Sequence, residues 1–198
     1  MFGTRTLFLL TASGLVLFTA GCGDSTSAHS PGTTMSTAMR TDFDDADVSF
    51  LQMMYPHHAQ AVAMAELVPS RSRDQQVVAL AAAIRDAQAP EMERMSELLR
   101  SFGKPAPATG DHSMPDMPGM ATTPGMMPDA DMDRLRTLSG AEFDRAWLQM
   151  MIDHHSGAIT MANDELAHGD NGDAKALAQS IIAAQQSEID RMRTMLGS

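Results

Sequence analysis

A single cysteine, Cys22, occurs in the sequence, so no internal disulfide can staple the chain. Aromatic residues make up only 5% of it. Basic residues number 14 against 25 acidic ones, a formal charge of −11, which makes nucleic acid an unsuitable partner. The one extended apolar stretch, Leu7 to Ala20, is too short to span a bilayer. Signatures of catalysis are missing too. There is no nucleophile elbow, phosphate loop or His-Glu-x-x-His sequence, so no reaction is assigned. A dinuclear carboxylate centre in a helical bundle needs Glu-x-x-His on two helices. Only Glu165 and His168 have that spacing, beside Gly169, and they read as helix-terminal residues, with His168 suited to the negative end of a helix dipole.

Methionine, in contrast, is abundant: 19 residues, nearly a tenth of the chain. Methionine fills cores but specifies them poorly, and it is open to oxidation outside the cell, so this usage asks for a second explanation.

Residues 1–21 read as a signal peptide, with Arg5 as the positive region ahead of the apolar stretch. Thr19, Ala20 and Gly21 run directly into Cys22 in the manner of a bacterial lipobox, although Leu is usual at the position of Thr19. The expectation is an exported protein, lipidated at Cys22 and anchored on the outer side of a membrane. An ordinary secretory signal with a free Cys22 is the alternative. Removing residues 1–21 takes away Arg5 and no acid, leaving 13 basic and 25 acidic residues, a charge of −12. The acidic residues could attract cations or simply form solvated helix faces.

The chain repeats itself. Residues 50–65, FLQMMYPHHAQAVAMA, and 147–162, WLQMMIDHHSGAITMA, share nine of sixteen positions at an offset of 97. The offset holds onward, pairing Leu80 with Leu177, Ile84 with Ile181, Gln88 with Gln185, Glu91 with Glu188 and Met95 with Met192. Within each copy, mostly apolar residues of one helix face recur three and four apart, first through Phe50, Met54, His57, Ala61, Met64 and Val68, then through Val77, Leu80, Ile84, Gln88, Glu91 and Met95, with His57, Gln88 and Glu91 as the polar members. Each copy is therefore an αα-hairpin, and two hairpins that bury their stripes together make an all-α four-helix bundle. The expected organisation is a signal peptide at 1–21, a Ser- and Thr-rich tether at 22–40, hairpins at 41–102 and 134–198, and a Met- and Pro-rich crossover at 103–133. Pro56 and Pro90 fall inside helices, where a kink is expected because each lacks a backbone donor.

The histidines carry the chemistry. Adjacent helical residues point about 100° apart, so His57 and His58 are not expected to grip one ion together. Met53 and Met54 lie one turn before them, and Met150 and Met151 stand in the same relation to His154 and His155. With Met64 and Met161, these residues form a soft, neutral donor set. It suits copper(I) first and silver(I) second, zinc or iron less well, and magnesium or calcium badly. The alternative is that His57 and His154 are hydrogen-bonded core residues with methionine as filler. Gln88, Glu91, Gln185 and Glu188 sit on the inner stripe, where the carboxylates need partners: either the histidines, whose rings they would orient, or Arg94 and Arg191. The crossover holds His112, Met114, Met117, Met120, Met126 and Met127, an auxiliary set suited to weak copper(I) capture or mere low-complexity drift.

The doubled Met-Met-x-x-His-His-x-x-Ala segment, followed by Met-Ala and by Gln88-x-x-Glu91 or Gln185-x-x-Glu188, resembles the bacterial family called domain of unknown function 305. The resemblance spans Asp42 to Leu196 outside the crossover; Pro90 departs from the usual helical segment. It implies a ferritin-like four-helix bundle of two similar hairpins, usually exported, with some members tied to copper binding and tolerance. Together these readings point to a copper(I) buffer or chaperone without turnover. Two others stay open: a non-enzymatic envelope interaction module with structural histidine pairs, and a redox metalloenzyme using copper or iron. A protein partner is not identified by the sequence.

Overall fold

A computed structural model describes residues 40–106 and 123–197. The signal peptide, Cys22 and all of the tether except Arg40 lie outside the described residues. Four long helices and one short one make up the described chain: α1 (Asp45–Arg71), α2 (Gln75–Ser101), α3 (Asp129–Thr137), α4 (Gly140–His168) and α5 (Gly172–Leu196). The fold is a ferritin-like four-helix bundle in which α1 packs on α2 and α4 on α5, and the two hairpins meet chiefly along α1 and α4. The short helix α3 lies against α4 and was not legible in the periodicity.

Local chemistry repeats with the sequence. The turn between α1 and α2 (72–74) and that between α4 and α5 (169–171) stand at the same offset of 97. Each ends in a residue whose side chain accepts from the first free amides of the next helix. Asp74 does so for Gln76 and Val77, Asn171 for Asp173 and Ala174. Helix α1 begins with a reciprocal cap, in which Asp44 accepts from the Ala46 and Asp47 amides while Asp47 accepts from the Asp44 amide at 2.7 Å. Gly103, at φ +68°, ends α2 by letting the Lys104 amide donate back to Leu99 O at 2.8 Å. Helices α1 and α2 run unbroken through Pro56, Pro69 and Pro90.

Two hydrophobic clusters fill the bundle, and the repeat relates them. One contains Met54, Met95 and Met161; the other contains Met151, Met192 and Met64, each 97 residues from its counterpart. Each cluster thus draws on both copies, and neither hairpin holds a complete core. Helix α1 is buried over more of its circumference than a single stripe requires, with Leu51, Tyr55, Ala59 and Val62 covered as well.

Glu165 and His168 lie in the last turn of α4, as expected of helix-terminal residues, but Glu165 is buried. It is 2% exposed and faces Asp47, itself fully buried, where α1 begins and α4 ends. Asp47 accepts from the Asp44, Asp170 and Asn171 amides, and these bonds outweigh burial and hold it below the usual carboxylate range. The packing needs Gly169: a Cβ there would lie 2.5 Å from Glu165 Oε1 and 2.8 Å from Asp47 Oδ1. His168 is exposed and pairs with Asp164 at 2.9 Å.

Burial, then the adjacent Asp47, push the Glu165 carboxyl up to about 8 from an ordinary 4.5, with Asp44 adding to the rise and Lys175 opposing it. Between those values the unfolded chain has released this proton and the folded chain has kept it, so stability falls as pH rises from 4.5 to about 8. Glu165→Gln keeps a donor toward Asp47 and removes the ionisation. The variant is expected to unfold at a higher urea concentration than the wild type at pH 8.5, with little difference at pH 4.5. Parallel pH profiles for the two proteins would refute the assignment.

Candidate metal centre

Helices α1 and α4 run antiparallel across the seam. Trp147 Nε1 donates to Met64 O at 3.0 Å, and seven residues along each helix His57 meets His154. Residues equivalent in the repeat therefore face one another at the pseudo-two-fold axis. The two rings lie 3.8 Å apart between centroids and are tilted by 39°. His58 and His155, one position further and about 100° around, turn toward the second helix of their own hairpins. His58 Nε2 lies 2.8 Å from Glu91 Oε2, and His155 Nε2 lies 2.8 Å from Glu188 Oε2. All four imidazoles are fully buried.

The nitrogens can be accounted for one by one. A neutral imidazole has one N–H and one lone pair. His57 donates from Nε2 to Pro124 O at 3.0 Å, which leaves the Nδ1 lone pair without a partner. His58 and His155 donate from Nε2 to their carboxylates, and each leaves Nδ1 bare. His154 has no partner at either nitrogen. Burial, followed by the neighbouring His58, pushes His57 down to about 3. Burial and the neighbouring imidazoles hold His154 well below its ordinary value. The central pair is thus neutral at physiological pH, with lone pairs free to coordinate an ion.

The methionines separate into two settings. Met54, Met64 and Met151 are fully buried and Met161 is 8% exposed, all within the two core clusters. Met53 is 37% exposed and Met150 half-buried. The helical rotation explains the split. Met54 and Met151, three residues before His57 and His154 and four before His58 and His155, stay interior, whereas Met53 opens onto a cleft of about 710 Å³. That cleft also takes in Met161, Phe50, Pro124 and the acidic Asp45 and Asp164.

Of the remaining predicted residues, Glu91 and Glu188 orient His58 and His155. Gln88 and Gln185 are 2% exposed with amides that bond to nothing. Arg94 turns instead to Glu97 and Asp173, at 3.4 and 3.5 Å. Met127 packs partly against the second core cluster and Met126 is half-buried. His112, Met114, Met117 and Met120 lie outside the described residues. Among the described residues, no three His, Cys, Asp or Glu side chains converge on one point. An ion at the seam would thus need thioether ligands besides imidazole, which fits a soft cation better than zinc. Gln60, Pro124 and Gly157, which surround the pair, were not singled out in the sequence. The visible signal was the mismatch of Gln60 with Gly157, one of seven differing positions in the sixteen-residue repeat.

A buried polar atom without a partner costs about 1–3 kcal/mol. In metal-free protein, His154→Leu is therefore expected to leave the urea midpoint unchanged or raised. His58→Leu, which strands Glu91, is expected to lower stability by about 1 kcal/mol or more. A large loss for His154→Leu in urea unfolding would mark that ring as a structural residue.

The family model described as Domain of unknown function (DUF305) matches residues 47–196. Among solved structures, a DUF305 protein of Streptomyces coelicolor assigned as secreted is 34% identical, with a TM-score of 0.67 over 77% of this chain and 92% of that one. A DUF305 fragment from Deinococcus radiodurans is 32% identical, with a TM-score of 0.69 over 78% of this chain and 97% of that one. CopM in its Cu(I)-bound form is 29% identical, with a TM-score of 0.61 over 75% and 94%; CopM is also known in Cu(II)-bound, silver-bound and apo forms. No curated protein sequence matches the chain.

Proposed function

Since the chain belongs to the DUF305 family, we propose that it is an exported copper(I)-binding protein that holds one ion at the seam between its two repeats. The observation that carries this reading is the His57–His154 pair: neutral, fully buried, with lone pairs that no protein group uses. A folding role alone accounts poorly for such a pair, because an apolar side chain would fill the space without the desolvation cost. Buried thioethers come from both copies, Met54 and Met161 in one core cluster and Met64 and Met151 in the other, and Met54 and Met151 lie one helical turn from the paired histidines. Glu91 and Glu188 fix His58 and His155 with Nε2 protonated, so that Nδ1 is the nitrogen left to a metal. The copper- and silver-bound forms of CopM support the choice of a soft ion.

Silver(I) shares this donor preference and is the second ion expected to bind. The residues fit buffering or delivery, with the ion as cargo and no turnover. The linker methionines form a weaker, auxiliary capture set, and the lipidated Cys22 would keep the protein on the outer face of a membrane.

The reading is tested by anaerobic titration with copper(I) against a competing chromogenic chelator. Cys22→Ser protein is used, so that the lone thiol does not compete. One tight equivalent is expected. His57→Ala with His154→Ala should weaken it by about a hundredfold, roughly 2.7 kcal/mol, while far-UV circular dichroism stays the same. Equal affinity in parent and double variant would overturn the site.

A further inference from the structure

The two copies differ where a segment belonging to neither helical hairpin crosses the seam. Residues Thr123–Met127 pass beside the histidine pair and are held by three contacts. Pro124 O accepts the His57 Nε2 proton at 3.0 Å. Gln60 on α1 clasps the Met127 backbone twice: its amide nitrogen donates to Met127 O at 2.9 Å and its amide oxygen accepts from Met127 N at 2.7 Å. Gly157 on α4 supplies clearance, since a Cβ there would lie 2.1 Å from Pro124 O and 2.5 Å from Gly125 Cα. Gly125 itself adopts φ +78°, and a Cβ on it would fall 2.7 Å from His154 O.

Gln60 and Gly157 stand 97 apart and so occupy the same position of the repeat. The reason they differ is geometric. One short segment lying near a two-fold axis cannot present the same face to both copies, so one equivalent position provides a grip and the other provides room.

We propose that Thr123–Met127 is a strap that closes the His57–His154 pair, that Gln60 is its positioning residue, and that the ion reaches the pair when the strap lifts; this rests on the metal reading given above. Both rings are fully buried, so an ion needs some part of their cover to move. The helices around them are locked by two cores. The strap is held by a few hydrogen bonds and the partial packing of Met127 on one cluster; Thr123 is buried, but Pro124 is exposed and Gly125 to Met127 are half-buried, which makes it the cover that opens most easily. Pro124 also forms part of the wall of the cleft that holds Met53 and Met161, so its departure would open the pair toward two thioethers. The strap further sets the chemistry of His57: while Pro124 O holds the Nε2 proton, Nδ1 is the lone pair on offer.

The test uses the full chain with Gln60→Ala and, separately, Gly157→Ala. The second variant adds a favoured helix residue yet denies the strap its seat, so it keeps the fold while opening the cover. Two rates are read: acylation of individual histidines by diethyl pyrocarbonate in metal-free protein, resolved by peptide mass, and anaerobic copper(I) association by stopped flow. Exposed His168 serves as the internal reference. Both variants should acylate His57 and His154 about tenfold faster, as expected when Gln60→Ala removes two ordinary hydrogen bonds from the closed strap and Gly157→Ala crowds its seat, and take up copper(I) faster by a similar factor. Unchanged acylation in both variants overturns the strap, whatever copper does. Faster acylation with no copper binding in any of the three proteins supports the strap as the cover of the pair and overturns the metal reading instead.

Discussion

The antiparallel contact of α1 with α4 is the constraint from which the rest of the structure follows. Because the two hairpins derive from one repeated sequence and meet about a pseudo-two-fold axis, the residue at the axis must meet its own equivalent. Here that residue is histidine, and His57 faces His154 at 3.8 Å. The same operation divides the interior into two clusters of swapped composition, so the methionines of the first copy complete the core of the second and the reverse. Neither hairpin could bury its stripe alone.

The polar residues at this seam oppose the usual economy of a core. Four buried imidazoles leave five ring nitrogens without a protein partner, and Gln88 and Gln185 add two unbonded amides. Most natural interiors satisfy such groups. Here they occur in an interior whose two clusters hold buried thioethers from both copies, and the two imidazoles whose partners are anionic are fixed by them in one tautomer. Neutral nitrogen and sulfur donors in a dry, close-packed interior match the demands of a large, polarizable monovalent ion far better than those of a hard divalent one. Glu91 and Glu188 engage His58 and His155 rather than the pair, and Asp47 with Glu165 lie where α1 begins and α4 ends.

Symmetry also explains where it fails. Nine of sixteen residues persist between the motif segments, yet Gln60 and Gly157 differ in both size and polarity. The chain has one strap for two copies, and each copy meets a different side of it. A mismatch inside a repeat can therefore mark the place where a unique element docks, as informative as the identities around it.

The hairpins, their stripes and their offset were legible because they depend on spacing along single helices, and so was the chemistry of the donor set. The pairing of each second-helix glutamate with a histidine was legible only as one of two options, since Arg94 was an equal candidate until packing turned it toward Asp173. Glu165 read only as a helix-terminal residue, because its burial is decided by Asp47, 118 positions earlier. Met53 and Met54 looked equivalent as partners of the histidines, and the rotation of α1 against α4 separated them. By itself, then, the sequence determined that two similar amphipathic hairpins would form and that their inner faces would carry imidazole and thioether, because helical periodicity and side-chain chemistry are local. Which histidines meet, which methionines share a cluster and what covers them were decided only by tertiary structure, because those contacts join residues some seventy to a hundred positions apart across an axis that no single helix contains.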